Sequence, residues 1–348
     1  YAEGPHYLRF GMKHVLPFFH ALHNFVPGPA TFTGAFNGAT RSIDHPWYDS
    51  NYEYLFSWVP RIRMPDGRSP ALEDAFVATA WEEIAILERP EWCIDVDYRR
   101  WHPAQPDNLY EMLNHSSDDV VADYLASRTY DAVDTFPLFQ ALPEAGNLVM
   151  RSGWDSSATW LHFTAKHGKA RNSARGHNQA DETSFTLFSR GQMLARDPGY
   201  LKWSRREEVS LPEHHNLILV DGNGHGGGVS GVGDAYLDKT YDLDRLDLGR
   251  VWSDLLGANV ERRPLMVRKD YILLLDQATR SSATDYTFQL HGYGLSGGDS
   301  LTGFYVRHPD GKSTWSRNGV SLTSLTRAAG GLDLEIESPA RHEWRYDS

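Results

Sequence analysis

Near Gly146 the chain changes its hydrophobic period, and that change limits the folds open to it. From there on, short apolar or alternating runs follow one another: Leu148–Arg151, Thr159–Thr164, Ser184–Phe188, Leu217–Val220, Leu265–Val267, Tyr271–Leu275 and Tyr286–Leu290. Runs of this length, separated by Gly, Asn and Asp turns, predict strands of a largely antiparallel sheet domain. Upstream the texture is helical, with an amphipathic Leu8–Phe25, an acidic Pro70–Glu88 carrying an apolar stripe, and Ser117–Ser127 opened by Ser and Asp caps. Gly28-Pro29, Pro65-Asp66-Gly67 and Pro103-Ala104-Gln105-Pro106 break that region into short pieces. The expected class is α+β, with a helical domain over 1–145 and an antiparallel, sandwich-like β domain over 146–348.

Composition removes several function classes. A single cysteine, Cys93, excludes an intramolecular disulfide and a cysteine-built zinc site. No run of 18 apolar residues exists, so no membrane span is expected, and the first residues lack the basic start and apolar stretch of a signal peptide. A net charge of −12 argues against nonspecific nucleic-acid binding, which needs a broad basic face. The eleven Trp and seventeen Tyr are mostly core, but an exposed aromatic face is also a platform for a sugar ring. Gly222–Gly233 holds seven glycines and reads as a loop; it lacks the strand-to-helix context of a phosphate cradle.

Positive charge is concentrated in one place. From Lys166 to Arg206 there are nine Lys/Arg against three acids, around the polar turn Gly176-His177-Asn178-Gln179 that precedes the strand at Ser184. An imidazole in such a turn can carry protons, and the local charge suits an anionic ligand. Asp197, in an Asp-Pro-Gly turn, and His215, at the head of an apolar strand, can approach His177 if their strands pair. A metal site there would need a further ligand, and Gln179 offers only an amide; Asp197 as a turn cap and His215 as a buried hydrogen-bonded histidine are equally open. Tyr7 opens the first helix beside basic neighbours, which ease loss of a phenolic proton.

Six elements in order carry a resemblance: Glu3-Gly4-Pro5-His6-Tyr7, Arg63-Met64-Pro65-Asp66-Gly67, Met150-Arg151-Ser152-Gly153-Trp154, Gly176-His177-Asn178 with Asp181 and Ser184-Phe185, Asp197-Pro198-Gly199-Tyr200, and His215-Asn216-Leu217 through Asp221-Gly222. From residue 1 to about Leu290 the chain resembles the heparinase II/III-like polysaccharide lyases. The resemblance implies an incomplete (α/α) toroid followed by a layered antiparallel β domain, and β-elimination of uronic-acid polysaccharides such as alginate, heparin and heparan sulfate. It implies proton-transfer roles for Tyr7 and His177 and zinc ligands at Asp197 and His215; the candidate substrate contacts are Arg175, by its proximity in sequence to His177, with Asn178 and Tyr200. The family's remaining zinc ligand, a histidine, falls on Gln179, a departure that puts zinc in doubt.

The resemblance further implies an anionic polysaccharide or oligosaccharide as partner, a secreted or periplasmic location, and a need for upstream toroid helices, so the chain is expected to be a piece of a longer enzyme. Two other readings stay open. A carbohydrate-binding protein without catalysis would tolerate Gln179, and a glycoside hydrolase would need two carboxylates flanking the bond, with Glu3, Asp74 and Glu82 as candidates.

Overall fold

The computed structural model describes residues 4–49, 58, 61–65, 68–75, 78–79, 137–172, 177–201, 203–226, 233–292, 304–307 and 312–328. Among them, residues of 4–70 and 78–137 form one compact unit, and residues of 71–75 and 138–328 the other. The chain thus enters the second unit at residues 71–75 and returns to it at 138.

In the first unit, α1 (Gly4–Phe25) covers the amphipathic segment. Leu8 and Phe19, eleven residues and three turns apart, are buried, whereas Phe18 and Phe25, seven apart, share the exposed side. Beyond its end, Gly28 donates its N–H to the Tyr48 hydroxyl (2.8 Å), which also bonds His23 Nδ1 (2.8 Å), while the His23 ring stacks on Trp47. The sequence reading overlooked the hairpin β1 (Thr31–Phe36) and β2 (Ala39–Asp44). Its signal was present: Asn37 and Gly38, with φ of 49° and 77°, make the two-residue turn that suits the right-handed strand twist. Within the expected helix over Pro70–Glu88, residues 70–75 are irregular and β3 (Arg68–Ser69) pairs with β4 (Ala78–Thr79), while residues 76–77 and 80–88 lie outside the described residues. Ser117–Ser127 and Pro103–Pro106 lie outside the described residues.

The second unit is built of antiparallel sheets. A five-stranded meander runs β5 (Gln140–Leu142), β6 (Asn147–Arg151), β7 (Trp160–Thr164), β8 (Phe185–Ser189), β9 (Gln192–Ala195), with a short helix α2 (Gly168–Asn172) after β7. β10 (Ile218–Val220) pairs later with a distant strand. A four-stranded meander follows: β11 (Ala235–Leu243), β12 (Leu246–Leu255), β13 (Ala258–Val267), β14 (Tyr271–Thr279). β15 (Tyr286–Phe288) is the partner of β10, and β16 (Phe304–Arg307), β17 (Lys312–Arg317) and β18 (Val320–Leu325) form a small three-stranded sheet.

The five- and four-stranded sheets share one core. Leu148, Met150, Leu161, Phe163, Phe185 and Leu187 on one side meet Ala235, Leu237, Val251 and Met266 on the other. The two-residue spacing within each strand is the pleat expected of packed sheets. A Cβ on Gly249 of β12 would overlap the tip of the Leu148 side chain of β6, so a larger residue there would require that side chain to move. The far face of the first sheet is buried as well, through Val149, Trp160, His162 and Phe188, which is why its strands read as continuous apolar runs.

One cation pins this core. Arg262 of β13 is fully buried and donates to the carbonyls of Thr183 (3.0 Å) and Asn216 (2.8 Å) and to the Asp276 carboxylate (3.1 and 3.2 Å). The rings of Phe163, Phe185 and Phe288 surround its guanidinium at 5.2–5.4 Å. Asn216 is equally committed, donating to the carbonyls of Phe185 and Arg196 and accepting from the His291 N–H. The strand head that carries His215 is thereby fixed against β8 and β9.

Candidate functional site

The segment 71–75 supplies two acids to the second unit. Glu73 adopts φ of 55°, and the Ala75 N–H closes a tight turn on the Glu73 carbonyl at 2.8 Å. A non-glycine residue in the left-handed region costs roughly 1–3 kcal/mol, and persists where its surroundings over-determine it. Here they do. The Glu73 carboxylate accepts from Lys166 Nζ (2.6 Å), Arg171 (3.1 Å) and the Gln179 backbone N–H (2.5 Å). Burial raises its pKa and Asp181 adds to this, against the opposing pull of Lys166 and Arg171.

Asp74 faces the imidazole. Its Oδ2 lies 2.8 Å from His177 Nδ1 and 3.1 Å from Arg206 Nε, and its Oδ1 accepts from Gln179 Nε2 at 2.9 Å. Burial pushes the Asp74 pKa up, and the bonds from Gln179, Arg206 and His177 restrain the rise. When Asp74 is ionised it only accepts, so Nδ1 then carries the proton of this bond and Nε2 is the ring nitrogen left for a ligand. The His177 side chain is 18% exposed, so this imidazole reaches the surface while its orienting partner does not.

Gln179 is wholly buried and organises the turn. Its Nε2 has three acceptors, Asp74 Oδ1, the Glu73 carbonyl (3.0 Å) and the Gly199 carbonyl (2.8 Å). Arg171 donates to the Gln179 carbonyl (2.6 Å) and also pairs with Glu182 and, at 3.5 Å, with Asp181. The Asp197-Pro198-Gly199-Tyr200 turn docks on the same segment, with Tyr200 N–H bonded to the Ala75 carbonyl at 3.1 Å. Gly199 has φ of 59°, and a Cβ there would stand 2.5 Å from the Ala75 oxygen, so the turn demands glycine.

Asp197 and His215 engage each other. Oδ2 meets His215 Nδ1 at 2.9 Å, while Oδ1 accepts from the Gly199 N–H. Burial alone would lower the His215 pKa, but the charge and hydrogen bond of Asp197, helped by Asp181 and Glu73, raise it overall. Among the described residues no group of three or more His, Cys, Asp and Glu is disposed to hold a metal ion. With an amide at 179 donating to Asp74, these residues do not fit a zinc site.

The other residues singled out in the sequence divide as follows. Tyr7 is half-buried on α1, in the first unit. Asn178 is 3% exposed and turned inward, its Nδ2 bonded to the Arg171 carbonyl and its own carbonyl to Arg206, which makes it a fastener of the turn rather than a surface for substrate. Tyr200 is buried beside the turn. Arg175, Glu3, Glu82 and part of the glycine-rich loop, 227–232, lie outside the described residues. Asp74 is buried on three donors and is not poised to protonate a glycosidic oxygen.

Part of the expected field of positive charge is matched by acids from within the unit. Lys166, Arg171 and Arg206 are buried against Glu73, Asp74, Asp181 and Glu182, so three of the nine cations neutralise acids inside the unit. Glu73, Arg171 and Arg206 were missed as site residues. The pattern Ala71-Leu72-Glu73-Asp74-Ala75, two acids between small and apolar residues, was the available signal.

No protein-family model matches the sequence, and no curated protein matches it. Solved structures do. Heparan sulfate lyase HepC from Pedobacter heparinus aligns with a TM-score of 0.56 and 19% identity over 90% of this chain and 44% of that one. The heparinase III BT4657 gene product gives 0.57 and 13% over 90% and 43%, and a further heparinase III structure 0.51 and 16% over 79% and 45%. The chain spans under half the length of these proteins. It has the fold of the heparinase-like polysaccharide lyases.

Proposed function

We propose that this chain belongs to a polysaccharide lyase that cleaves uronic-acid-containing anionic glycans by β-elimination. The observation that carries this reading is the Asp74–His177 pair at 2.8 Å, held by Arg206 and Gln179, within a heparinase-like fold. Elimination breaks the C5–H bond, forms a C4=C5 double bond and expels the C4 oxygen, which takes up a proton. An imidazole with Nδ1 anchored on a carboxylate offers Nε2 for one of those two proton transfers. Tyr7 supplies the other, and the configuration at C5 of the uronate sets which group is base and which is acid. Arg175 neutralises the uronate carboxylate and so stabilises the enolate-like intermediate.

In this reading the site is held together by hydrogen bonds and buried ion pairs, without zinc. The first unit, with α1, is part of an (α/α) toroid, and the enzyme works outside the cell or in a periplasm, where polymeric uronates are met. Among the described residues no helix is long and apolar enough to cross a membrane.

The test is an absorbance assay near the ultraviolet edge, which reads the new double bond, against alginate, heparin, heparan sulfate, hyaluronan and ulvan. One polymer is expected to yield unsaturated product, with the rate lowered at least about 10²-fold in Tyr7→Phe and His177→Ala. Wild-type rates in both variants, or saturated products only, reject the proposal.

A further inference from the structure

We infer that Trp203 is a sugar-stacking residue that seats a pyranose ring beside His177, an inference that rests on the lyase reading above. Trp203 opens the segment Trp203–Glu208, two short 3-10 turns joined by a kink at Arg205, and is 62% exposed, with its ring centroid 5.2 Å from that of His177 and the planes inclined by 54°. The other tryptophans among the described residues behave differently. Trp47, Trp58, Trp154 and Trp160 are buried, and Trp252 and Trp315 are half-buried.

An aromatic side chain usually buries roughly 150–250 Å² on folding, so an indole left in water beside a proton-transfer group calls for a ligand. Its position is fixed by the same segment. Arg206, three residues on, bonds Asp74 Oδ2 and the Asn178 carbonyl, and Arg205 makes a bidentate pair with Glu208 at 2.6 and 2.7 Å. Arg206, which orients the Asp74–His177 pair, and the indole therefore sit three residues apart on one short segment bent at Arg205.

The chemistry selects the ligand class. The negative face of an indole attracts the polarised C–H bonds on the flat side of a pyranose, whereas the charged and hydroxyl-bearing edge of the sugar must be met by other groups. Trp203 thus reads the ring, and not its carboxylate. Its contact is made before and during the reaction alike, so it contributes to binding more than to the chemical step.

The experiment measures binding and turnover separately. In a His177→Ala background, calorimetric titration with tetrasaccharides prepared from heparan sulfate and from alginate gives Kd without turnover. Trp203→Ala is expected to weaken the preferred probe about tenfold and Trp203→Phe about threefold. In the active protein, Trp203→Ala raises KM about tenfold while kcat falls less than about threefold. An unchanged Kd and KM in Trp203→Ala, or no binding of either probe by the His177→Ala parent, overturns the inference. If the wild type turns over no polymer yet binds a probe and loses it in Trp203→Ala, the lyase reading fails and the stacking role stands.

Discussion

Asp74 Oδ2 and His177 Nδ1 lie 2.8 Å apart although 103 residues separate them in the chain. The bond exists because residues 71–75 enter the β-sheet unit, where Glu73 is anchored on Lys166 and Arg171 and Asp74 is left facing the turn that carries His177. Arg206 and Gln179 hold the two Asp74 oxygens, so the carboxylate cannot rotate away from the imidazole. Preorganisation of this kind fixes a tautomer and a ring orientation before substrate arrives.

Replacing Asp74 by Asn keeps the shape of that side chain but removes the acceptor-only partner of Nδ1. The expected result is a fall in kcat of roughly 10²–10⁴-fold with little change in KM. Steady-state kinetics with a circular dichroism check of folding measure it. A kcat within about threefold of wild type would show that Asp74 does not set the state of His177.

Gln179→Ala removes the donor shared by Asp74 Oδ1, the Glu73 carbonyl and the Gly199 carbonyl in a fully buried place. Loss of about 2–4 kcal/mol is expected in urea denaturation. Because no metal ties the turn in the proposed arrangement, dialysis of the wild type against EDTA is expected to leave its Tm unchanged. A drop of several degrees on EDTA treatment, restored by zinc, would contradict this.

Arg171 has a side chain without solvent exposure and pairs with Glu73, Asp181 and Glu182. Arg171→Met removes the cation from Asp181 and Glu182 and leaves Glu73 to Lys166, and a cost of about 3–5 kcal/mol is expected. Chemical denaturation at neutral pH provides the measurement, and a loss below about 1 kcal/mol would mean that the cluster relaxes freely.

The buried histidines set an acid limb. Burial, with Lys166 and Arg151, holds His162 at a pKa of about 3, against an ordinary 6.5, while it bonds Asn147 Oδ1 through Nε2 at 2.8 Å. Burial likewise takes His225 and His291 to about 4. Below pH 6.5 the unfolded chain takes up protons that these folded-state imidazoles refuse, so stability declines as pH falls, down to about 4 for His225 and His291 and about 3 for His162. His215 acts in the opposite sense: its raised pKa adds stability below its ordinary value that is lost as pH rises through the folded value. In His162→Gln the decline in urea midpoint between pH 6.5 and pH 4 should be shallower than in wild type; an equal slope would show that His162 does not contribute.

Strands β6, β7, β8 and β10 were legible because both neighbours in the chain and both faces of the sheet favour apolar residues there. β11 and β12 were not. The inward positions of β12 are Asp247, Gly249, Val251, Ser253 and Leu255, so the hydrophobic alternation that marks a strand is absent although the burial alternates. The β1–β2 hairpin was announced by Asn37-Gly38 and passed over, since its exposed strands lack an apolar face. In the site, His177, Gln179, Asp197 and His215 were visible as polar residues in turns before or after strands. The basic stretch around them misled, because a count of charges does not tell which are matched by acids from a remote segment.

The sequence by itself determined where strands β6, β7, β8 and β10 and the turns beside them would fall, and that an imidazole would stand in a polar turn at the head of one of them, because period and turn chemistry act over a few residues. Only the tertiary structure decided that Glu73 and Asp74 would leave the chain's first unit to meet that turn, that Asn178 would face inward and Trp203 outward, and that Asp197 would bond His215. Those outcomes depend on which buried charges find partners across distant segments, and an unmatched charge in the interior costs more than any local preference can supply.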